Sequence, residues 1–176
     1  MMQENIRLRT YEKEDNAFIH ELVNNHDIMA YWFVEPYLSK TAMEKQFEKE
    51  WNDPTVRSFI LTNGDEPLGL VQLFDIHPVH RKAEYAIMID PKQQGKGYAP
   101  IATRLAMDYA FNILNLHKLY LYVDEANAVA QHVYKKCGYE EIATLKEEFF
   151  VKGSYHDVIV MNIFKRDYEK MIEVEN

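Results

Sequence analysis

One stretch limits what the rest of the chain can be. Residues 84–89 alternate like a strand and end at Asp90-Pro91. The turn Gln94-Gly95-Lys96-Gly97 follows, and behind it Ile101, Ala102, Leu105, Tyr109 and Ile113 recur at helical spacing. The spacing predicts a helix over 98–114. Upstream, 58–62 and 68–76 read as strands with the hairpin signal Asn63-Gly64-Asp65 between them. The strand at 84–89 is therefore the third of a meander, delivered through a glycine turn into an amphipathic helix.

The flanks extend this scheme. Ile6-Arg7-Leu8-Arg9 alternates like a short strand. Asp15 is the expected cap of a helix over about 16–24, with Phe18, Leu22 and Val23 on one face. Ser39 or Thr41 caps a second helix that ends near Trp51. After the central helix, 118–123 reads as a strand, and Asn127 opens a helix that stops at Gly138. Late strands at 144–150 and 155–164 flank the turn Lys152-Gly153, and 165–174 is a terminal helix or a frayed tail. The order predicts a mixed α/β (α+β) domain, a largely antiparallel sheet flanked by helices, with residues 1–176 as one domain.

Charge narrows the partners. The 28 acidic residues outnumber the 20 basic ones, giving a net charge of −8. Phosphate neutralisation needs clustered Lys and Arg, so a nonspecific nucleic-acid binder is not expected. A cationic small molecule suits an acidic surface better. The single cysteine, Cys137, rules out an intrachain disulfide and a multi-cysteine zinc site and suits a reducing compartment. Residues Met1 to Asn5 show no basic region followed by an apolar run, and no stretch of eighteen apolar residues exists. The expectation is a cytoplasmic protein that spans no membrane.

The glycine turn carries the strongest chemical signal. A helix start offers unpaired N–H groups and the positive end of the macrodipole, which suits a pyrophosphate, and small residues permit close approach. It is neither the dinucleotide fingerprint nor a Walker loop, since no Gly-Lys-Ser/Thr follows. His77 and His80 have no evident third ligand, so no metal site is expected, and Cys137 reads as a structural thiol.

The Gln94-x-x-Gly97-x-Ala99 pattern resembles the acyl-CoA pyrophosphate loop of the GCN5-related N-acetyltransferases (GNAT). Residues 127–139, from Asn127 through Ala130 and Tyr134 to Gly138-Tyr139, resemble the family's Asn-x-x-Ala…Tyr-x-x-x-Gly helix. The stretches 31–37, 80–84 and 148–155 resemble the bacterial spermidine N-acetyltransferase branch, so the likeness covers nearly the whole chain. It implies the GNAT fold, acetyl-CoA as cosubstrate, and acetyl transfer to a polyamine such as spermidine or spermine. It also implies site residues. Ile87, Met88 and Ile89 would border the pantetheine arm, with the backbone of Met88 and Ile89 bonding it and a group near Met88 holding the oxyanion. Gln94, Gly95, Lys96, Gly97, Tyr98 and Ala99 would hold the pyrophosphate. Asn127 would contact the pantetheine, and Tyr134 would protonate the leaving thiolate. Glu84 is the candidate base, the alternatives being that it binds the ammonium or pairs with Arg81. Met29, Trp32, Glu35, Asp75, Glu84 and Tyr85 would face the acceptor amine, while Tyr31, Trp32, Phe33 and Tyr37 either fill the core or wall the acceptor channel.

The chain departs from that branch at several places. Val34, Leu38, Ala42 and Val56 stand where acids are expected, and Gln72 replaces a Glu, while Asp75 keeps its carboxylate. The branch's regulatory polyamine site is therefore expected to be weakened or absent, and no divalent ion is expected near Asp75. Relatives assemble into homo-oligomers, often dodecamers, which implies an oligomer here. Two other readings fit the same scaffold: acetylation of a protein N-terminus or another small amine, and a non-catalytic sensor of acyl-CoA or polyamine.

Overall fold

A computed structural model describes residues 5–175; the Met1–Glu4 segment of the N-terminal reading lies outside them. The strands are β1 (Ile6–Thr10), β2 (Arg57–Asn63), β3 (Glu66–His77), β4 (Lys82–Ile89), β5 (Lys118–Asp124), β6 (Glu140–Val151) and β7 (Ser154–Phe164). They lie in one sheet in the order β1-β2-β3-β4-β5-β7-β6. Every neighbouring pair is antiparallel except β4 and β5, which run parallel. The expected mixed, mostly antiparallel sheet is present. The hairpin from Asn63 to Glu66 turns through Gly64, whose φ of 61° suits a residue without a Cβ.

Helices cover both faces. α1 (Asn16–Val23), α2 (His26–Ala30) and α3 (Lys40–Trp51) lie on one side, where Ile19, Leu22, Met29 and Met43 pack on Ile60, Leu70 and Met88. α4 (Tyr98–Asp108), α5 (Ala128–Lys136) and α6 (Lys165–Glu175) belong to the other, where Ala102, Ala106, Met107 and Phe111 join Leu61, Val71, Tyr85, Leu119 and Met161. Strand alternation sends Leu119, Leu121 and Val123 into that core and leaves Tyr120 and Tyr122 for the opposite face.

Several expectations are corrected. Asp15 does not cap α1. Its carboxylate accepts two bonds from the Arg9 guanidinium at 2.7 Å and one from the Glu12 N–H at 3.0 Å, closing a 3₁₀ turn over Lys13–Asp15. Burial opposes the charge of Asp15, yet Arg9 and the Glu12 N–H hold the carboxyl below its ordinary range. Ser39 rather than Thr41 caps α3, accepting from the Ala42 N–H at 3.1 Å. α2 was not expected, because its five residues are too few for a periodic signal. The helix after the glycine turn is α-helical only to Asp108. Its last turn widens to π spacing, with the Leu114 N–H donating to the Tyr109 carbonyl. β6 starts at Glu140 rather than 144, because its first residues are exposed and carry no alternation. The tail forms α6, held by buried Tyr168.

Gly69 of β3 faces Ile89 of β4, and a Cβ there would stand 2.2 Å from the Met88 carbonyl oxygen. Gly69→Ala must push β3 and β4 apart, at a cost of about 1–3 kcal/mol. Urea unfolding of the variant should show a lower midpoint; an unchanged midpoint would contradict this close approach.

Candidate active site

The site is built where two strands part. β4 and β5 pair only through Lys82↔Lys118, Ala83↔Leu119 and Glu84↔Tyr120. Beyond that fork, Ile87, Met88 and Ile89 on one arm and Tyr122 and Val123 on the other border a groove of about 710 Å³. Its volume is in the range of cofactor-sized sites, roughly 300–1,000 Å³. Ile28, Tyr31 and Trp32 line it from the α2 side, and Ala130, Val133 and Tyr134 from the α5 side. The groove therefore passes through the sheet between its two helical layers.

Backbone groups edge the fork. The Asp90 N–H donates to the Leu68 carbonyl, so the even-numbered residues of this arm bond β3. The carbonyls of Ile87 and Ile89 instead accept from the Trp32 indole N–H at 3.2 Å and the Gln94 amide at 3.3 Å, both from residues lining the groove. Alternation then turns the N–H groups of Ile87 and Ile89 into the gap. This corrects the expected pair: Met88 lends its side chain to the wall, and Ile87 takes its place beside Ile89.

The glycine turn closes one end. Gly95 and Gly97 adopt φ of 75° and 82°, and no atom lies within 4 Å of a Cβ built at either. Conformation rather than space therefore demands glycine there. Gly97 caps α4, whose first-turn N–H groups have no intrahelical partners. Gln94, Gly95, Gly97, Tyr98 and Ala99 all line the groove. Lys96 does not: its Nζ donates to the Gln93 side chain at 2.8 Å.

Asn127 and Tyr134 line the groove from α5. Asn127 caps that helix, its Oδ1 accepting from the Ala130 N–H at 3.1 Å. Tyr134 is 9% exposed, and burial, with the nearby Cys137 thiol, pushes its hydroxyl's pKa well above the ordinary value. It stays protonated at neutral pH and can donate a proton. Tyr85 stands edge-on to Tyr134 in the core, and its hydroxyl shares a hydrogen bond with Thr103 at 3.0 Å. At 1% exposure, on the face opposite Glu84, it is not brought to the acceptor side. Cys137 is buried, and burial raises its thiol pKa.

Glu84 occupies the last paired position before the fork, on the α1–α3 face with Tyr120. Burial, with the charge of Asp75, pushes its carboxyl up to about 7. Tyr120 is pushed up to about 12 by burial and by Glu84 and Asp75. Asp75 is exposed at the irregularity in β3, with φ of 51°. A second cavity of about 270 Å³ opens between α1, α3 and the sheet, lined by Met29, Trp32, Glu35, Gln72 and Met88 among others. Trp32 and Met88 are shared by both cavities and form the wall between them. Glu84 and Asp75 line neither. Tyr37 is 84% exposed and Tyr31 53%, while Phe33 stacks on Phe149 of β6 at 4.2 Å. Nearby, Lys152 at the β6–β7 tip pairs with Asp27 of α2 at 2.6 Å.

Sequence reasoning named Met29, Tyr31 and Trp32 but missed the helix α2 and its Ile28, although the Asn25 side chain, which accepts from the N–H groups of Asp27 and Ile28, is a readable cap. Tyr122 was also missed, since a tyrosine in a strand carries no chemical signal by itself. His77 and His80 stack at 4.2 Å, and no group of three or more His, Cys, Asp or Glu able to hold a metal occurs among the described residues.

A parted sheet, a glycine turn at a helix start and a phenol at the fork share one groove, and the free N–H groups of the helix start suit a phosphate-tailed ligand. The acetyltransferase (GNAT) domain model matches residues 5–140, and the chain belongs to this family of acetyl-CoA-dependent acetyltransferases. It is 44% identical over 163 residues to the spermidine N(1)-acetyltransferase of Escherichia coli K12, covering 93% of this chain and 88% of that one. The Vibrio cholerae enzyme of the same name is 45% identical over 168 residues, covering 95% and 97%. The crystal structure of spermidine N-acetyltransferase from Vibrio cholerae in complex with CoA and spermine superposes with a TM-score of 0.93 at 43% identity, covering 95% of this chain and 99% of that one.

The raised Glu84 carboxyl has a stability signature. Its folded-state value, about 7, lies above the ordinary 4.5, so the folded protein holds the proton across that window. This contribution therefore makes stability fall as pH rises from about 4.5 to about 7. Glu84→Gln should lose less unfolding free energy over that interval than wild type, as read by denaturant titration at both pH values. An equal loss in both proteins would contradict the assignment.

Proposed function

We propose that this protein transfers the acetyl group of acetyl-CoA to a primary amine of a polyamine such as spermidine or spermine. The observation that carries the reading is the fork itself, with a protonated phenol on one face of the sheet and a carboxyl titrating near 7 on the other. The likeness to spermidine acetyltransferases along nearly the whole chain supports the polyamine as acceptor.

Acetyl-CoA supplies an activated thioester. The α4 start and its glycine turn bind the pyrophosphate, and Ile87 and Ile89 bond the pantetheine arm as a neighbouring strand would. The acceptor reaches the site as an ammonium with a pKa of about 10 and must lose a proton to attack. Glu84 takes that proton through water. The amine nitrogen bonds the carbonyl carbon while an N–H turned into the fork holds the oxyanion. The carbon–sulfur bond breaks, the Tyr134 hydroxyl protonates the thiolate, and the second proton of the newly bonded nitrogen passes through water to the Tyr134 oxygen, which restores the phenol. The products are an N-acetylated amine and free CoA, with no covalent protein intermediate.

Further readings rest on the same frame. One sheet running from β1 to β7 supports a single domain. Exposed Val34, Tyr37 and Trp51, at 57%, 84% and 61%, support a homo-oligomer assembled through the α1–α3 side. A free buried Cys137 supports a reducing, cytoplasmic setting, and no helix of the described residues is long and apolar enough to cross a membrane. Val34, Leu38, Ala42 and Val56, with neutral Gln72, stand where the branch carries acids, which supports a weakened regulatory site for polyamine.

Thiol release from acetyl-CoA tests the reading against spermidine, spermine, putrescine, small amines and basic N-terminal peptides. Turnover is expected with spermidine or spermine; turnover with peptides alone would replace the polyamine by a protein N-terminus, and binding of acetyl-CoA without any turnover would leave a sensor. Tyr134→Phe should lower kcat by about 100-fold, the usual scale of a lost general acid; an unchanged kcat would remove Tyr134 from that role.

A further inference from the structure

Asp124 ends β5, the strand that forms one arm of the fork, and it is 3% exposed. A buried carboxylate needs partners. The other buried carboxylate among the described residues, Asp15, has an arginine. Asp124 has a histidine: its Oδ2 lies 2.5 Å from His156 Nδ1 of β7. An ionised carboxylate only accepts, so Nδ1 carries the proton and Nε2 faces the Ser154 hydroxyl at 3.1 Å. The order of groups matches an acyl-transfer relay. Ser154, however, lines neither cavity of the site.

The other bonds of Asp124 show what the pair does. Oδ1 accepts from the Ala126 N–H at 2.8 Å, and the main-chain carbonyl accepts from the Asn127 N–H at 2.9 Å and the Gln131 amide at 3.2 Å. The turn that presents Asn127 to the groove is therefore built on Asp124. We infer that His156 is a positioning residue for acetyl-CoA binding: through Nδ1 it fixes the Asp124 carboxylate, and with it the turn that sets Asn127 and the start of α5 against the cofactor groove. The inference rests on the groove being the acetyl-CoA site.

Two substitutions separate the ring nitrogens. An Asn amide nitrogen superposes on Nδ1 and keeps the bond to Asp124, whereas a Gln amide reaches only the Nε2 position. Calorimetric titration with CoA reads binding without turnover and without knowledge of the acceptor. His156→Gln and His156→Leu should weaken CoA by about 3- to 10-fold, and His156→Asn should stay within about twofold of wild type. In acetyl-transfer assays KM for acetyl-CoA should rise in the first two variants, with KM for the amine unchanged at saturating acetyl-CoA. Amide exchange at Ala126 and Asn127 should quicken in the same two. Equal CoA affinity in all three variants and wild type would overturn the inference, as would an Asn variant no better than Gln or Leu. Wild-type protein that fails to bind CoA would instead overturn the assignment of the groove.

Discussion

The separation of β4 and β5 after three paired positions is the constraint on which the site depends. Two strands that stayed paired would bond each other and leave no backbone for a ligand. Parting leaves polar groups of both arms without strand partners, and a buried main-chain group must find one. On the β4 arm the Trp32 indole and the Gln94 amide supply two partners at the carbonyls. The flanking layers serve the same gap: α2 lines it on one side and α5 on the other, and the glycine turn closes its end. Under the proposed function, an acyl donor entering as an added strand would complete the sheet and at the same time present its thioester between the layers.

Electrostatics divide the work between the faces. Tyr134 sits where burial disfavours the phenolate, so its proton is retained. Glu84 sits where burial and a second carboxylate disfavour its own charge, so it exchanges a proton near neutrality. In the proposed mechanism, two groups whose environments shift them in the same direction take complementary roles, because one starts from a phenol and the other from a carboxyl. Asp75 acts on Glu84 as a like charge, raising its carboxyl further.

Much of this was legible in the sequence, and the limits have physical causes. The meander, the glycine turn and the helices on either side follow from period and punctuation, and the motif at Asn127–Tyr139 located the phenol. Residue identity did not reveal which side of a strand a neighbour occupies. Tyr85 adjoins Glu84 in the chain but points into the opposite core. Met88 adjoins Ile87 and Ile89, yet its backbone belongs to the β3 ladder. Lys96 has the right charge inside the loop, yet its Nζ is taken up by the Gln93 side chain. Asp15 resembled a helix cap until Arg9, six residues earlier, claimed it. In each case the deciding partner stands across the sheet or in a neighbouring turn, where periodicity carries no information.

The contacts between the β6–β7 tip and α2 have a consequence for how the molecule assembles. Lys152 and Asp27 are 125 residues apart in the chain, and Phe149 closes on Phe33 over a similar span. Contacts this distant carry a large loop-closure entropy and form after the local hairpins and helices have paid most of theirs. During synthesis the meander, the fork's first arm and the glycine turn leave the ribosome well before the strands that brace the acceptor side. The first arm of the fork and the glycine turn are thus encoded early, whereas Asn127 and Tyr134 of the same groove, and the His156 that braces Asp124, follow late in the chain. A nascent or truncated form lacking β6 and β7 would keep α2 packed on β2, β3 and β4, but would lose the tip contacts to Asp27 and Phe33 and the His156 bond to Asp124.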